Sequence, residues 1–563
     1  MAKRGTRKSR HAQPLAKPAS VAEPRVLAPP RWLPVAGVVA SVALFLVVYI
    51  MRLDPVVGQY QDDAWYTVLA KALATGQGYT LISAPASGIG AWIYPPGYPA
   101  LLALAWRAWP EFPQNVWLLK SISIAAMFVA GVACYFYFAR VRETPRHVAA
   151  GIALATVFNP AFVFLATSTL MSECVFTMAQ LLAILTIERA VPMNKAGGGW
   201  PLVVLGTVLA SFAFVTRAMG LTLLVGVFLY FLKERLIRGA LVFAVIAGVL
   251  LGPLAINAWL SAPTAEQRDQ QASYIVSGMG EVFWHRQAGN PAAGQIGVAD
   301  LPARMWNNLM TVATHTVGVT TIGPLPYWEK GGELTAESSP ATRTFSLILS
   351  AIAALGLAAI VRTRVTLAEF VFALSLLVIA IFPWTPFRYF LPLSPFLMFY
   401  VLMGIRSVYE LYKRWRVVPD ARAPWVTAGL VAGFFVALNV YTNAQYISSL
   451  RSDVREERPP WVRIFEEHAL LFTWIRENIP EQRTFISSNP PLLYLYTGQK
   501  TLPAVDAALR KDVWEQHKVR YLVQMGVPRP PDPNEAERRL KTLYTSGTIL
   551  NLRVVDLGEA PLK

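Results

Sequence analysis

Long apolar runs recur along this 563-residue chain, separated by short polar turns, and no other feature restricts its fold as strongly. A membrane-spanning helix needs roughly 20 apolar residues, with somewhat shorter stretches tolerated. On that criterion about 11 spans are predicted, over 32–50, 115–139, 147–166, 169–188, 200–216, 218–232, 239–260, 344–361, 366–383, 389–405 and 425–443. With 54% hydrophobic and 15% charged residues and a mean hydropathy of +0.41, the composition is that of a polytopic α-helical membrane protein.

The charges between the runs test this count. With the N-terminus inside, cytoplasmic loops hold Arg140, Arg142 and Arg146, then Arg189 and Lys195, then Lys233, Arg235 and Arg238, then Arg362 and Arg364, then Arg406, Lys413, Arg414 and Arg416. Alternate loops thus carry the basic residues, as the positive-inside rule requires. The net charge of +17 encodes orientation and not a nucleic-acid partner. The tail 1–31, rich in Lys, Arg, Ala and Pro, is expected to be disordered and cytoplasmic. The run 32–50 exceeds a signal-peptide core and no small-residue cleavage site comes after it, so it reads as an uncleaved span. The apolar segment 97–109 is short, and counting it as a span would invert every later loop, which places it at the interface. Cys134 and Cys174 lie inside apolar runs and support neither a disulfide framework nor a thiolate metal site.

This topology puts outside the segment 52–114, the turns near Ser168, Arg217 and Arg388, the loop 261–342 and everything after 444. The loop 261–342, with Trp284, His285, Trp306, Trp328 and several Gly and Pro residues, is expected to form irregular structure on the membrane face. Three domains result: a basic tail over 1–31, a transmembrane module over 32–446 and a small extracytoplasmic α/β domain over 447–563. In that last domain, predicted helices in PPLLYLYTG, ALRKDVWEQHK and AERRLKTLY alternate with strands in RTFISS, VRYLVQM and ILNLRVVDL. No internal repeat stands out, which argues against a transporter of inverted halves.

Charged groups in or beside spans are costly and mark functional candidates. Asp62 and Asp63 come after the first span, Glu173 lies in TLMSECVFT, Arg217 in FVTRAMG and Arg388 in WTPFRYFLPLSP, and all fall on the outer side. Each has a plainer reading. The aspartates suit a helix N-terminus, Glu173 could bond Ser168 or Ser172, and the arginines could snorkel to headgroups. The turn in YPPGYP could be a rigid breaker with aromatic anchors, and His285 a loop histidine. Their shared side favours a site. Carboxylates beside arginines suit displacement at a phosphate-linked carbon by a hydroxyl: the acid takes the acceptor's proton, and the guanidinium fork binds the leaving phosphate. The sequence holds no Gly-rich nucleotide loop and no His/Cys cluster with zinc spacing.

The order of these residues resembles the membrane-embedded C-type glycosyltransferases, particularly the branch of protein O-mannosyltransferases and lipid A aminoarabinose transferases, over residues 32–500. The resemblance rests on Asp62 and Asp63 followed by Trp65 and Tyr66, AKAL and GQGY, then the Pro95-Pro96 turn. It continues with Glu173 early in the fourth span, Arg217 at the next external turn, and RYFLPLSP with Arg388 and Tyr389. Tyr94 stands where members often place a charged residue or His, and Glu173 where they commonly have Asp. The resemblance implies a polyprenyl-phosphate sugar donor, inversion at the anomeric carbon, and a hexosyl or pentosyl transfer at the outer face of the cytoplasmic membrane. It makes Asp62 the general base, Asp63 its support and Glu173 a further catalytic acid. Arg217, Arg388 and Tyr389 become the donor-phosphate contacts, and Tyr94, Pro95 and Pro96 the substrate loop. The expected partners are the lipid-linked sugar, an acceptor protein, lipid or glycan, and membrane lipids, with no nucleic acid. No cofactor is expected, a divalent metal is left open, and activity is expected to survive EDTA. Two other classes stay open. A transporter or flippase of a lipid-linked sugar needs polar residues continuing through the midplane, whereas here they are read as stopping on one side. A scaffold whose C-terminal domain binds a partner leaves the membrane charges idle.

Overall fold

In hydrocarbon a helix satisfies its own backbone, and apolar helices accordingly carry most of this chain. The computed structural model describes residues 32–271, 274–276, 278–287, 293–321, 340–383, 387–415, 423–504, 511–526, 541–546 and 551–557. The tail 1–31, Trp328 and residues 536–540 of one predicted helix lie outside them. The chain divides inside its first helix, Trp32–Met51, into a unit ending at Leu44 and one running from Phe45 to Lys563. In the first unit Val35, Val38 and Val39 expose their side chains along the helix, the bare apolar surface of a span.

Among the described residues seven helices are long and apolar enough to cross a membrane, and the pair Arg146–Val157 and Pro160–Thr167, bent by 46°, passes the same test when taken together. Three shorter apolar helices, Trp200–Thr216, Gly220–Lys233 and Leu367–Ile381, complete the set. Every predicted run has its helix, and the chain is a polytopic helical membrane protein. The bend has a local cause: Pro160 cannot donate a backbone bond, and Asn159 caps the new helix by accepting from the Ala161 amide at 3.0 Å. The helices Pro340–Thr363 and Ser394–Trp415 come closest at two glycines. A Cβ at Gly356 would lie 1.9 Å from the Tyr400 carbonyl, and one at Gly404 2.0 Å from that of Ile352, so their backbones touch.

Three expectations need correcting. The loop 261–342 is not irregular where it is described: it holds the helices Ala265–Gln271, Met279–Trp284 and a run from Leu301 to Thr321. Asn308 anchors that run by donating to the carbonyls of Ala380 and Phe382, each at 2.8 Å, which the end of the helix Leu367–Ile381 leaves without helical partners. The fourth predicted span begins later than residue 169, at Glu173, because residues 168–172 form a turn. Polar groups also do not stop at one end of the bundle. Arg142, Glu188, Thr366 and Glu369 form a second buried cluster, and Glu188 lies 15 residues beyond Glu173 on the helix Glu173–Lys195, about 22 Å along its axis.

The C-terminal segment builds one five-stranded sheet from β1 (Thr484–Ser487), β2 (Lys500–Pro503), β3 (Val519–Gly526), β4 (Lys541–Ser546) and β5 (Asn551–Asp556) in the order β2-β1-β3-β5-β4. The first three pair in parallel and the last two join antiparallel. Alternation puts Phe485, Val523 and Val554 on the face covered by the helices Pro460–Asn478 and Pro490–Thr497. Ile486, Leu522 and Val555 cover the other face with Trp514. β2 was not foreseen, and Lys541–Tyr544, predicted helical, are strand because β5 supplies their backbone partners.

Candidate active site

The site begins with a backbone feature. The Asp62 amide donates to the Tyr60 carbonyl at 2.7 Å across Gln61, whose φ of 63° and ψ of −54° make a γ-turn of the positive-φ kind. That conformation is rare and strained for a residue with a side chain. It opens the helix Asp62–Ala74, whose first turn carries both acids near its positive dipole end. The two carboxylates diverge from there. Asp63 is fully buried and folds back, accepting from the amides of Gly58 at 2.7 Å, Tyr60 at 3.0 Å and Ala64 at 3.0 Å. Burial raises its pKa to about 6 despite the backbone donors, and the neighbouring Asp62 adds to the rise. Asp63 therefore fixes the turn, while Asp62 faces the bundle.

Asp62 accepts from the Tyr94 hydroxyl at 2.6 Å through Oδ1 and pairs with Arg388 through Oδ2. Arg388 also reaches Glu173 at 3.7 Å, and Glu173 pairs with Arg217 at 2.9 Å. Arg217 donates to Ser172 Oγ at 3.1 Å, which in turn shares a 3.0 Å bond with the Tyr66 hydroxyl. The Tyr389 ring lies beneath both guanidinium groups, 4.8 Å from Arg217 and 5.7 Å from Arg388. Local packing explains how so many elements meet. At Gly97, just past the Pro95-Pro96 turn, a Cβ would lie 2.7 Å from the Val215 carbonyl, so this loop abuts the end of the helix Trp200–Thr216 that leads into Arg217. Gly220 closes that turn, where a Cβ would meet Phe214 Cα at 2.4 Å. Two acids and two arginines thus alternate in one buried cluster, with spare capacity. Among the described residues neither oxygen of Glu173 accepts a hydrogen bond, and Arg217 Nε donates none.

No protein-family model matches the chain, and no curated protein matches it in sequence. Solved structures do. The Archaeoglobus fulgidus oligosaccharyltransferase in its apo form aligns at a TM-score of 0.53 and 14% identity, over 88% of this chain and 69% of that one. The fold is that of the C-type glycosyltransferases. The archaeal oligosaccharyltransferase AglB from Archaeoglobus fulgidus, in complex with an inhibitory peptide and a dolichol-phosphate, aligns at 0.50 and 13% identity, over 86% of this chain and 69% of that one. ArnT from Cupriavidus metallidurans in the apo state covers 93% of this chain and 98% of its own at 14% identity, with a TM-score of 0.47.

Within this C-type fold, Asp62, Tyr94, Glu173, Arg217, Arg388 and Tyr389 of the residues singled out from the sequence meet in one cluster, whereas the Asp63 carboxylate is spent on the backbone beside it. Sequence reasoning missed a neighbour. Asp54 and Lys120 form a fully buried ion pair at 3.0 Å, and Lys120 also donates to the Asp54 carbonyl at 2.6 Å. The second Asp54 oxygen accepts from Ser168 at 2.5 Å, which ties the first loop to the turn leading into Ser172 and Glu173. The signal was present: Lys120 is a charged residue inside a predicted span, the criterion that picked out Glu173. Among the described residues no three His, Cys, Asp or Glu side chains group as a metal site.

Proposed function

We propose that the chain is an inverting glycosyltransferase, moving a hexose or pentose from a polyprenyl-phosphate donor to an acceptor hydroxyl at the outer face of the cytoplasmic membrane. The observation that carries this reading is the run Asp62, Arg388, Glu173, Arg217, in which a partly accessible carboxylate sits one guanidinium away from a buried pair with unspent hydrogen-bonding atoms. The shared fold supports it, since AglB of that fold is solved with a dolichol-phosphate, a phosphate on a lipid.

In this mechanism the acceptor oxygen bonds to the anomeric carbon on the face opposite the phosphate. The carbon–oxygen bond to phosphate breaks, its electron pair leaves with the lipid phosphate, and the acceptor's proton passes to Asp62. Arg388 and Arg217 hold the phosphate and the charge it gains, with Tyr389 steadying both guanidinium planes. Glu173, ion-paired with Arg217 at 2.9 Å, offers its remaining hydrogen-bonding capacity to sugar or acceptor hydroxyls. Because Arg388 pairs with Asp62, a phosphate that draws the guanidinium toward itself frees Asp62 to act as the base. A flippase fits less well. Between the two polar clusters, Thr177 and Gln180 bond to the carbonyls of Glu173 and Pro392, and Ala183, Ile184 and Ile187 then pack in an apolar core. The test is Asp62→Asn in purified protein supplied with a polyprenyl-phosphate sugar. Transfer should fall about 10²- to 10⁴-fold with donor binding retained, and transfer at the wild-type rate would overturn the assignment.

A further inference from the structure

We propose that the C-terminal α/β domain is part of the catalytic apparatus: through Asn489, Leu492 and Tyr496 it holds the backbone turn that aims Asp62. This rests on the glycosyltransferase reading only for the identity of the reaction. The turn is gripped from two sides. Asp63 takes the amides of Gly58 and Tyr60. The domain takes the carbonyls, with the Tyr496 hydroxyl donating to Val57 at 3.3 Å and Asn489 Nδ2 to Gly58 at 3.3 Å. Gln59 Nε2 adds a bond to the Trp461 carbonyl at 2.9 Å, at the start of the domain's first long helix. Leu492 packs directly on Gly58, where a Cβ would lie 2.6 Å from Leu492 Cδ1 and where φ is +96°. It is the positive φ that calls for glycine there.

The grip matters because of its place in the chain. Three residues after Gly58 comes the strained γ-turn at Gln61, and a strained backbone persists only where its surroundings over-determine it. The domain side of the grip is itself stiff: the Tyr496 ring stacks on Phe472 at 5.1 Å and meets Phe112 edge-on at 5.0 Å. The arginines come from other elements, Arg217 from the turn between Thr216 and Gly220 and Arg388 from the short helix Phe387–Phe390. Asn489, Leu492 and Tyr496 are thus positioning residues for the acid and leave the donor contacts alone.

The test is the full-length double variant Asn489→Ser, Tyr496→Phe. Serine keeps a capping oxygen for the helix Pro490–Thr497, and phenylalanine keeps the ring stack, so only the donors to Val57 and Gly58 are lost. Hydrogen exchange of the peptide spanning 57–63 should quicken about tenfold or more, with the peptides of 97–108 and 394–412 unchanged. Transfer should show kcat down about tenfold to a hundredfold and donor KM unchanged. Arg520→Gln, which loosens the Arg520–Asp556 pair inside the sheet, should lower the thermal midpoint and leave kcat as it was. Unchanged exchange over 57–63, or an equal loss of kcat in Arg520→Gln, would overturn the proposal. Quickened exchange in a protein that transfers no sugar would uphold the grip and refute only the reaction assigned to it.

Discussion

Two buried clusters of acids and arginines occupy opposite ends of the helix Glu173–Lys195, and they are built differently. At the far end Glu369 is saturated: Oε1 accepts from Tyr400 at 3.0 Å, and Oε2 from the Thr366 amide at 2.7 Å, the Thr366 hydroxyl at 2.8 Å and Arg142 at 3.1 Å. Glu188 beside it accepts from Tyr137 and from the Ala368 amide, leaving one oxygen over. At the site end Glu173 is as deeply buried and is held by Arg217 at 2.9 Å, yet among the described residues neither of its oxygens accepts a hydrogen bond and Arg217 Nε donates none. Burying polar atoms without partners costs about 1–3 kcal/mol each, and the saturated cluster avoids most of that cost. On the function proposed above, the closed network serves the fold, whereas the open one keeps hydrogen-bonding capacity for a substrate.

Replacing an arginine in each cluster is the sharpest way to break that contrast. Arg388→Ala should cut transfer about 10²- to 10³-fold and weaken donor binding, whereas Arg142→Ala should cost about 3–5 kcal/mol of stability and leave the rate per folded molecule intact. Turnover assays beside thermal melts would decide, and unchanged donor affinity in Arg388→Ala would remove it from the phosphate site. The carboxylates give a smaller version of the same contrast: Glu369→Gln should lower the thermal midpoint without slowing transfer, and Glu173→Gln the reverse.

A smaller effect concerns pH and Asp63. Its folded pKa of about 6 lies above its ordinary value of 3.8, so the folded chain binds a proton that the unfolded chain does not between those values. The contribution of this group to stability should therefore grow as pH falls from about 6 to 4, by up to about 3 kcal/mol. Asp63→Asn should remove that slope from a melting series, and a slope equal to wild type would place the proton elsewhere. The smallest expected effect is that of EDTA. Arginines already occupy the carboxylates that a cation would need, so chelation should leave transfer unchanged, and complete loss would show that a metal displaces them.

How much of this was legible in the sequence depends on the range of the interactions. The spans were legible because apolar runs report on the solvent around them, residue by residue, and the alternating loop charges then put Asp62, Glu173, Arg217 and Arg388 at one end. Pairings between distant residues were not. Asp54 and Lys120 lie 66 positions apart, and only the folded chain shows that they bind each other. The γ-turn at Gln61 has no signature in residue type, since a side chain disfavours it and tertiary contacts impose it. Residues 541–544 read as helix from their local pattern and are strand because β5 runs beside them.

The contact at Gly356 and Gly404 has one more consequence. Two helices whose backbones touch have no side chains between them to rearrange, so this boundary cannot widen by rotamer changes alone. It is a fixed edge of the bundle, and Gly356→Ala would wedge it apart at the Tyr400 carbonyl. On the function proposed above, the donor's lipid tail would reach the arginine pair by parting other helices.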